Sequence, residues 1–234
     1  MKDTTQTFYD ELSSDYHLIF ADWNRAIERQ ANTLDTIIQE HAKLSWNSLL
    51  DCSCGIGTQC IWLAQKWYNI TASDLSPKAI ERAEKEAQDR KIKITFLAAD
   101  FMKLDTQIEG TFDTIISCDN SLPHILEDKN LNIVAKNIYS KLNTGWLFLA
   151  SIRDYDALLE ERPVSTMPNI KEGWTISFQT WDWEESNMYT VNHFTLKKDE
   201  EYKTHHRSTR YRAYKREEMK LIFDRVWFKN IKWL

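Results

Sequence analysis

Glycine is scarce in this chain of 234 residues, at five, and proline scarcer still, at four. No linker, repeat or low-complexity stretch interrupts it. The four cysteines, Cys52, Cys54, Cys60 and Cys118, form no C-x-x-C pair, and three of them fall within nine residues. That spacing argues against a disulfide framework and for a reduced, cytoplasmic protein. Long apolar runs are missing as well. Residues 1–20 mix acids, hydroxyls and aromatics, unlike a signal peptide, and no segment reaches the length of a membrane span. Surplus basic charge is also lacking: the formal net charge is -5, whereas phosphate neutralisation needs excess Lys and Arg. Neither nucleic acid nor a membrane is therefore expected as a partner.

What is present suits one large domain, or a domain with an insertion. Hydrophobic residues make up 42% and charged residues 28%, with ten tryptophans. Ile27, Ala31, Leu34, Ile37 and Ile38 recur at helical spacing and predict a helix over 25–41. Strands are expected over 48–52, 69–73, 92–97, 113–118 and 146–152. Helices are expected between them over 58–66, 77–89 and 131–142, the second opened by Ser76 as N-cap and Pro77 at the first helical position. This alternation predicts an α/β, Rossmann-like fold, a mostly parallel sheet with helices on both faces. After Arg153 the pattern changes to three β segments over 174–183, 188–197 and 202–214. A helix over 215–225 and a strand over 228–234 are expected to follow. The chain thus divides into a Rossmann-like domain, 1–154 and 215–234, with an N-terminal helical lid, and an antiparallel β insertion, 155–214.

Two of the five glycines, Gly55 and Gly57, stand where the first strand turns into a helix. Glycine there lets backbone N–H groups approach a ligand at the positive end of the helix dipole. Such turns are common, and the glycines alone equally fit a tight connection. Asp74 adds weight: it ends the second strand nineteen residues after Gly55, where a carboxylate accepts hydrogen bonds from both hydroxyls of a ribose. Asp100-Phe101, after the third strand, offers an acceptor for an exocyclic amine beside an aromatic plane. All three features fall at strand C-terminal ends, where open α/β sheets bind ligands. The loop departs from G-x-G-x-x-G, with Ser53 at the first glycine position.

Leu-Leu-Asp-Cys-Ser-Cys-Gly-Ile-Gly-Thr, residues 49–58, instead resembles the first motif of class I S-adenosylmethionine-dependent methyltransferases. Asp74 matches that family's ribose-binding acid, and Asp100-Phe101 its adenine-binding pair. The resemblance implies S-adenosylmethionine as cofactor, S-adenosylhomocysteine as its product, and no metal. It implies a cofactor site drawn from Trp23, Arg29, Asp51, Ser53, Gly55, Gly57, Asp74, Leu75, Asp100, Phe101 and Cys118. Arg29 resembles the helix arginine that holds the cofactor's carboxylate in relatives, with nearby Arg25 as its rival.

Further runs narrow the resemblance to glycine and sarcosine N-methyltransferases and their bacterial relatives. These are Tyr9-Asp10-Glu11-Leu12, Tyr16-His17-Leu18-Ile19-Phe20 and Asp22-Trp23, then Cys118-Asp119-Asn120-Ser121-Leu122-Pro123-His124 and Ile152-Arg153-Asp154-Tyr155-Asp156. The resemblance implies a small amino acid or amine as acceptor, its carboxylate held by Asn120 and Arg153, with His124 and Tyr16 completing the catalytic set. A guanidinium suits that task because its planar fork grips both carboxylate oxygens. Each residue also has a plainer reading. Arg153 can form a loop ion pair, Asn120 and His124 can cap the helix after the fourth strand, and Tyr9 and Tyr16 can pack as ordinary aromatics. Another small metabolite as acceptor, or a non-catalytic cofactor-binding protein, are the alternatives for the whole.

Other clusters carry less. His193, His205 and His206 lack the spacing of a metal site. The basic run 207–216 alternates with period two, which reads as a half-exposed strand rather than an RNA-contacting face. Four tryptophans, Trp62, Trp67, Trp146 and Trp227, stand where relatives usually carry glycine. Glycine supplies positive φ at a turn with little cost, and tryptophan does not. One reading is a source organism that decodes as glycine a codon translated here as tryptophan. Methyltransferases of this fold end in an antiparallel hairpin, and this chain stops in or just after its first strand. A missing last strand, with an exposed sheet edge, is therefore expected.

Overall fold

The central strands are short apolar runs whose consecutive side chains face opposite ways, so helices must cover both sides. The computed structural model describes residues 4–41, 47–171 and 174–234. Two helices, α1 (Thr4–Leu12) and α2 (Trp23–His41), precede β1 (Ser48–Asp51). There follow α3 (Cys60–Ala64), β2 (Asn69–Asp74), α4 (Pro77–Asp89), β3 (Thr95–Ala98), α5 (Leu104–Gln107), β4 (Phe112–Ser117), α6 (Asp128–Lys141) and β5 (Leu142–Ala150). The five strands form one parallel sheet in the order β3-β2-β1-β4-β5. Leu49 and Ile116 pack on one face with Ala31, Ile61 and Ile80, while their neighbours Leu50 and Ile115 pack on the other with Leu131, Val134 and Ile138. The cap of α4 forms as its sequence implies: Ser76 Oγ accepts the Ala79 N–H at 3.1 Å.

Next come α7 (Tyr155–Glu161), β6 (Asn169–Lys171), β7 (Thr175–Trp183), β8 (Met188–Lys198), β9 (Tyr202–Arg212) and α8 (Arg216–Asp224). The four strands make a separate antiparallel sheet in chain order. Its inner face carries Trp181, Tyr189, Val191 and Tyr211, packed against Tyr155 of α7. On β9, Arg207, Thr209 and Tyr211 are buried and the residues between them exposed, the alternation expected of a half-exposed strand. The N-terminal segment is fastened to this sheet. Asp15 pairs with Arg207 at 3.2 Å and Lys197 at 2.5 Å, and Asn169 Nδ2 donates to the carbonyls of Leu18 and Phe20 at 3.0 Å.

Three expectations need correction. No strand forms over 228–234. A strand exists only by pairing, and nothing there pairs with β5; Phe228 and Ile231 pack against the core beneath α8 instead. The segment 155–214 also holds a helix, α7, and a short strand, β6, besides the three expected strands. Finally, only two of the four singled-out tryptophans occupy left-handed turns: Trp67, φ 75°, and Trp227, φ 69°. Trp62 lies within α3 and the backbone of Trp146 within β5. At the end of α8, Trp227 N–H reaches Asp224 O and Phe228 N–H reaches Phe223 O, the bond pattern that normally carries glycine at its left-handed position.

Candidate active site

Strand order reverses between β1 and β4, and the crevice outside the C-terminal ends of such a pair is the natural ligand site of an open α/β sheet. Ser53, just after β1, and Ser117, ending β4, meet across it with Oγ atoms 3.1 Å apart. The loop that follows needs its glycines. Gly55 has φ 54° and Gly57 φ 92°, and a Cβ on Gly57 would fall 2.5 Å from Ile61 Cδ1. A Cβ on Gly55 would meet nothing within 4 Å, because open space lies above it.

Asp74 sits against this loop. Its carboxylate accepts the N–H groups of Gly55, at 2.8 Å, and Ser76, at 2.9 Å. Burial pushes its carboxyl pKa up, against the pull of those two donors. Asp74, Leu75, Asp100 and Phe101 line a cavity of about 90 Å³ together with Ser53 and Gly55. Asp51 lies fully buried, its Oδ2 without a partner among the described residues, and burial pushes its pKa well up. Cys118 is buried in the core cluster against α2 and α3.

Asp51, Gly57 and Cys118 are not in the wall of this cavity, and two more expected cofactor residues, Arg29 and Trp23, stand farther off in α2. Arg29 is exposed on α2, as is Arg25, and neither lines this cavity. Trp23 is buried among Ile27, Ile56 and Ala79, away from the cavity wall. The neighbour of Arg29, Gln30, turns inward and accepts a hydrogen bond from Gln59 at 2.6 Å. Tyr16 Oη donates to the Asp119 carboxylate at 3.5 Å, and burial raises the Asp119 pKa against the pull of Gln59, Tyr16 and Gln30.

A second cavity, of about 310 Å³, adjoins the first; Tyr9, Tyr16 and Asp119 line both. Asn120 and Arg153 line the second. They are held on a strained turn: Asp119 and Asn120 both have positive φ, 55° and 65°, a conformation Asp and Asn tolerate better than other side chains. Their N–H groups are anchored on Ser151, by its Oγ at 2.9 Å and its carbonyl at 3.0 Å. Asn120 Oδ1 accepts from the Arg153 N–H at 3.1 Å and from Tyr155 Oη at 2.9 Å. Its amide Nδ2 is buried and unpaired among the described residues.

The Arg153 guanidinium donates to Tyr189 Oη at 2.7 Å and lies against the rings of Trp181 and Tyr211. It forms no ion pair among the described residues. His124 lines the first cavity, its Nε2 2.8 Å from Tyr9 Oη and its ring tilted 35° against that of Tyr211, with centroids 4.1 Å apart. Burial pushes its pKa down to about 3, so the ring is neutral at pH 7. Burial raises the Tyr9 and Tyr16 hydroxyls, so both stay protonated.

Sequence reasoning singled out Asn120, Arg153, His124 and Tyr16, and these come together around the two cavities. It gave no role to Asp119, although the quoted run 118–124 contains it. It also missed the aromatic cage of Trp181, Tyr189 and Tyr211; the alternating aromatics of β7, β8 and β9 were the available signal.

The sheet order and the crevice together define a Rossmann-like α/β architecture with a ligand cleft at its strand ends. Residues 49–145 match the family model of a methyltransferase domain. The fold overlays an S-adenosylmethionine-dependent methyltransferase from Clostridium acetobutylicum with TM-score 0.76 and 20% identity, over 96% of this chain and 87% of that one. DesVI of Streptomyces venezuelae overlays with TM-score 0.75 and 14% identity, over 97% and 91%. The chain is 28% identical over 139 residues to a glycine/sarcosine N-methyltransferase of Parasynechococcus marenigrum, covering 59% of this chain and 48% of that protein. It is 32% identical over 124 residues to the glycine N-methyltransferase of Homo sapiens, covering 47% and 42%. The chain thus spans about half the length of these curated relatives. Residues 49–145 are similar to a methyltransferase domain, and the chain is similar in sequence to glycine and sarcosine N-methyltransferases.

Proposed function

We propose that this protein transfers a methyl group from S-adenosylmethionine to the amine of a small amino acid. One observation carries the acceptor half of the reading. Arg153 is a caged guanidinium without a carboxylate partner among the described residues, and the buried amide of Asn120 beside it has an unused donor. A free carboxylate satisfies both, and a buried cation and amide left unmatched are costly.

The residues of the first cavity fit the cofactor: acceptors at Asp74 and Asp100, the aromatic ring of Phe101, and open space over Gly55. Ser53, Gly55, Asp74, Leu75, Asp100 and Phe101 are the residues proposed to hold it. When bound, S-adenosylmethionine supplies a methyl group activated by its sulfonium. Held there, it would give that methyl to an unprotonated acceptor amine, with S-adenosylhomocysteine and one proton as the other products.

The protein's share is alignment and exclusion of water, which contributes on the order of 7–11 kcal/mol in well-oriented reactions. Arg153 and Asn120 fix the carboxylate end. Tyr9 and Tyr16, shared by both cavities, stand where amine and methyl must meet. His124, neutral, hydrogen-bonds Tyr9 and so orients its oxygen. Asp119 places an acid beside Tyr16, suited to a cationic reactant. Four buried free thiols fit a cytoplasmic location, where they stay reduced.

The deciding experiment offers glycine, sarcosine and dimethylglycine separately with S-adenosylmethionine, following methylated product and S-adenosylhomocysteine by mass spectrometry. Methylation that disappears in Arg153→Ala supports the reading. Cofactor binding without methylation of any amino acid defeats it.

A further inference from the structure

The acceptor cavity is larger and more apolar than glycine requires. A volume of only about 10–15 Å³ admits a water molecule, yet this cavity measures about 310 Å³. Beyond Arg153 and Asn120, its wall includes Phe8, Leu12, Ile19 and Phe20 from the N-terminal segment, with Ile152 and Val191. Ile19, Phe20 and Ile152 are only partly buried and are the ones that keep apolar surface turned to the opening. Water against such a wall finds few polar partners, whereas hydrocarbon there gains free energy in proportion to the area buried. Glycine brings a single methylene to that surface. It leaves most of the cavity to water.

We infer that the preferred acceptor is an amino acid carrying an apolar substituent, its carboxylate on Arg153 and Asn120 and its hydrocarbon against Ile19, Phe20 and Ile152. The inference rests on the carboxylate reading of Arg153 and adds the part of the acceptor that the carboxylate and amine do not define. One methylene in a hydrophobic pocket discriminates by about 10–200-fold, so the preference is large enough to measure.

The test compares kcat/KM for glycine, alanine, valine, leucine and phenylalanine with S-adenosylmethionine. The best apolar amino acid is expected to exceed glycine at least about tenfold, the lower bound for one methylene. Ile19→Trp, which narrows the cavity from a partly exposed position, is expected to reduce that ratio. A second readout needs no turnover. 4-Methylpentanoate should raise the Tm of the cofactor-loaded protein at concentrations where acetate does not, and Arg153→Met should remove the effect. Glycine turned over as well as every larger amino acid overturns the inference and leaves amino-acid methylation standing. Binding of 4-methylpentanoate over acetate, with no amino acid methylated, overturns the methyl-transfer reading and with it the inferred acceptor, while the carboxylate-and-hydrocarbon site stands. Equal effects of the two carboxylates overturn the inference, and no effect of either overturns both.

Discussion

The guanidinium carbon of Arg153 stands 4.5 Å from the centre of the Trp181 ring. An indole face attracts a cation through its quadrupole, while Tyr189 Oη takes one guanidinium N–H from the side. The group is thereby held in one orientation before any ligand arrives, and its remaining donors are left for a carboxylate. Trp181 and Tyr189 act through Arg153 and are positioning residues.

Removing the cation should therefore cost acceptor binding alone. Arg153→Met is expected to raise the acceptor KM about 10–150-fold, the equivalent of about 1.5–3 kcal/mol for a hydrogen bond to a charged group. Cofactor affinity should stay within about twofold. Trp181→Leu should raise the same KM less, with kcat changed little. Steady-state kinetics and a cofactor titration check both variants, and parallel loss of both affinities would sink the clamp.

Asp74→Asn should have the opposite profile. The variant loses the charge that the Gly55 and Ser76 N–H groups orient, and cofactor Kd should rise about tenfold or more. At saturating cofactor, the acceptor KM should be unaltered. Calorimetric titration with S-adenosylhomocysteine gives the first quantity directly.

Gly57→Ala should destabilise the fold by about 1–3 kcal/mol. The new methyl meets Ile61 at 2.5 Å, and φ 92° is poorly accessible to alanine. Gly55→Ala, with open space above it, carries only the strain of its φ of 54° and should cost less. Urea midpoints of the two variants, read with unchanged m-values, settle the order.

Trp67→Gly and Trp227→Gly should stabilise the protein, against the usual direction for a large-to-small change. Trp67 is 91% exposed at φ 75° and Trp227 66% exposed at φ 69°, so little packing is lost while left-handed strain is relieved. About 1 kcal/mol each is expected, since the left-handed conformation costs an L side chain roughly 1–2 kcal/mol. Trp62→Gly is the contrasting control: Trp62 is packed against two core clusters within α3, and its loss should destabilise. The intact mass of protein from the natural source tests whether glycine stands at these turns there; a mass matching ten tryptophans disposes of the decoding idea.

Acid should unfold the protein through its histidines. His193, buried against Ser177, has its pKa pushed down to about 4, chiefly by burial and then by Arg207. The unfolded chain takes its proton near pH 6.5, the folded one only near 4. The unfolded state therefore binds more protons across that window, and stability is lost as pH falls through it. His124 adds the same sign down to about pH 3. His193→Gln should flatten the dependence of Tm on pH between about 6.5 and 4. An unchanged slope would remove His193 from the account.

The glycine turn and its surroundings were legible because they are local. Strand, glycine turn, Asp74 and the Ser76 cap are set by neighbours in sequence. The acceptor side is assembled from β7, β8 and β9, whose side chains meet Arg153 only after a second sheet has formed, and no spacing announces that meeting. Helix phase explains the Arg29 discrepancy: one residue turns a side chain by about 100°, enough to put Gln30 inside and Arg29 out. The expected strand over 228–234 shows the limit from the other side. Its composition suits a strand, but pairing is a property of two segments.

Tyr9, Tyr16 and Asp119 form a party wall between the two cavities. Any rearrangement of that wall by one occupant changes the free energy of the other, and such coupling is reciprocal. Whatever factor cofactor adds to the acceptor's affinity, the acceptor must return to the cofactor. S-adenosylhomocysteine and methylated product would obey the same reciprocity with a factor of their own, so a spent cofactor that still holds the wall in place would also hold the product.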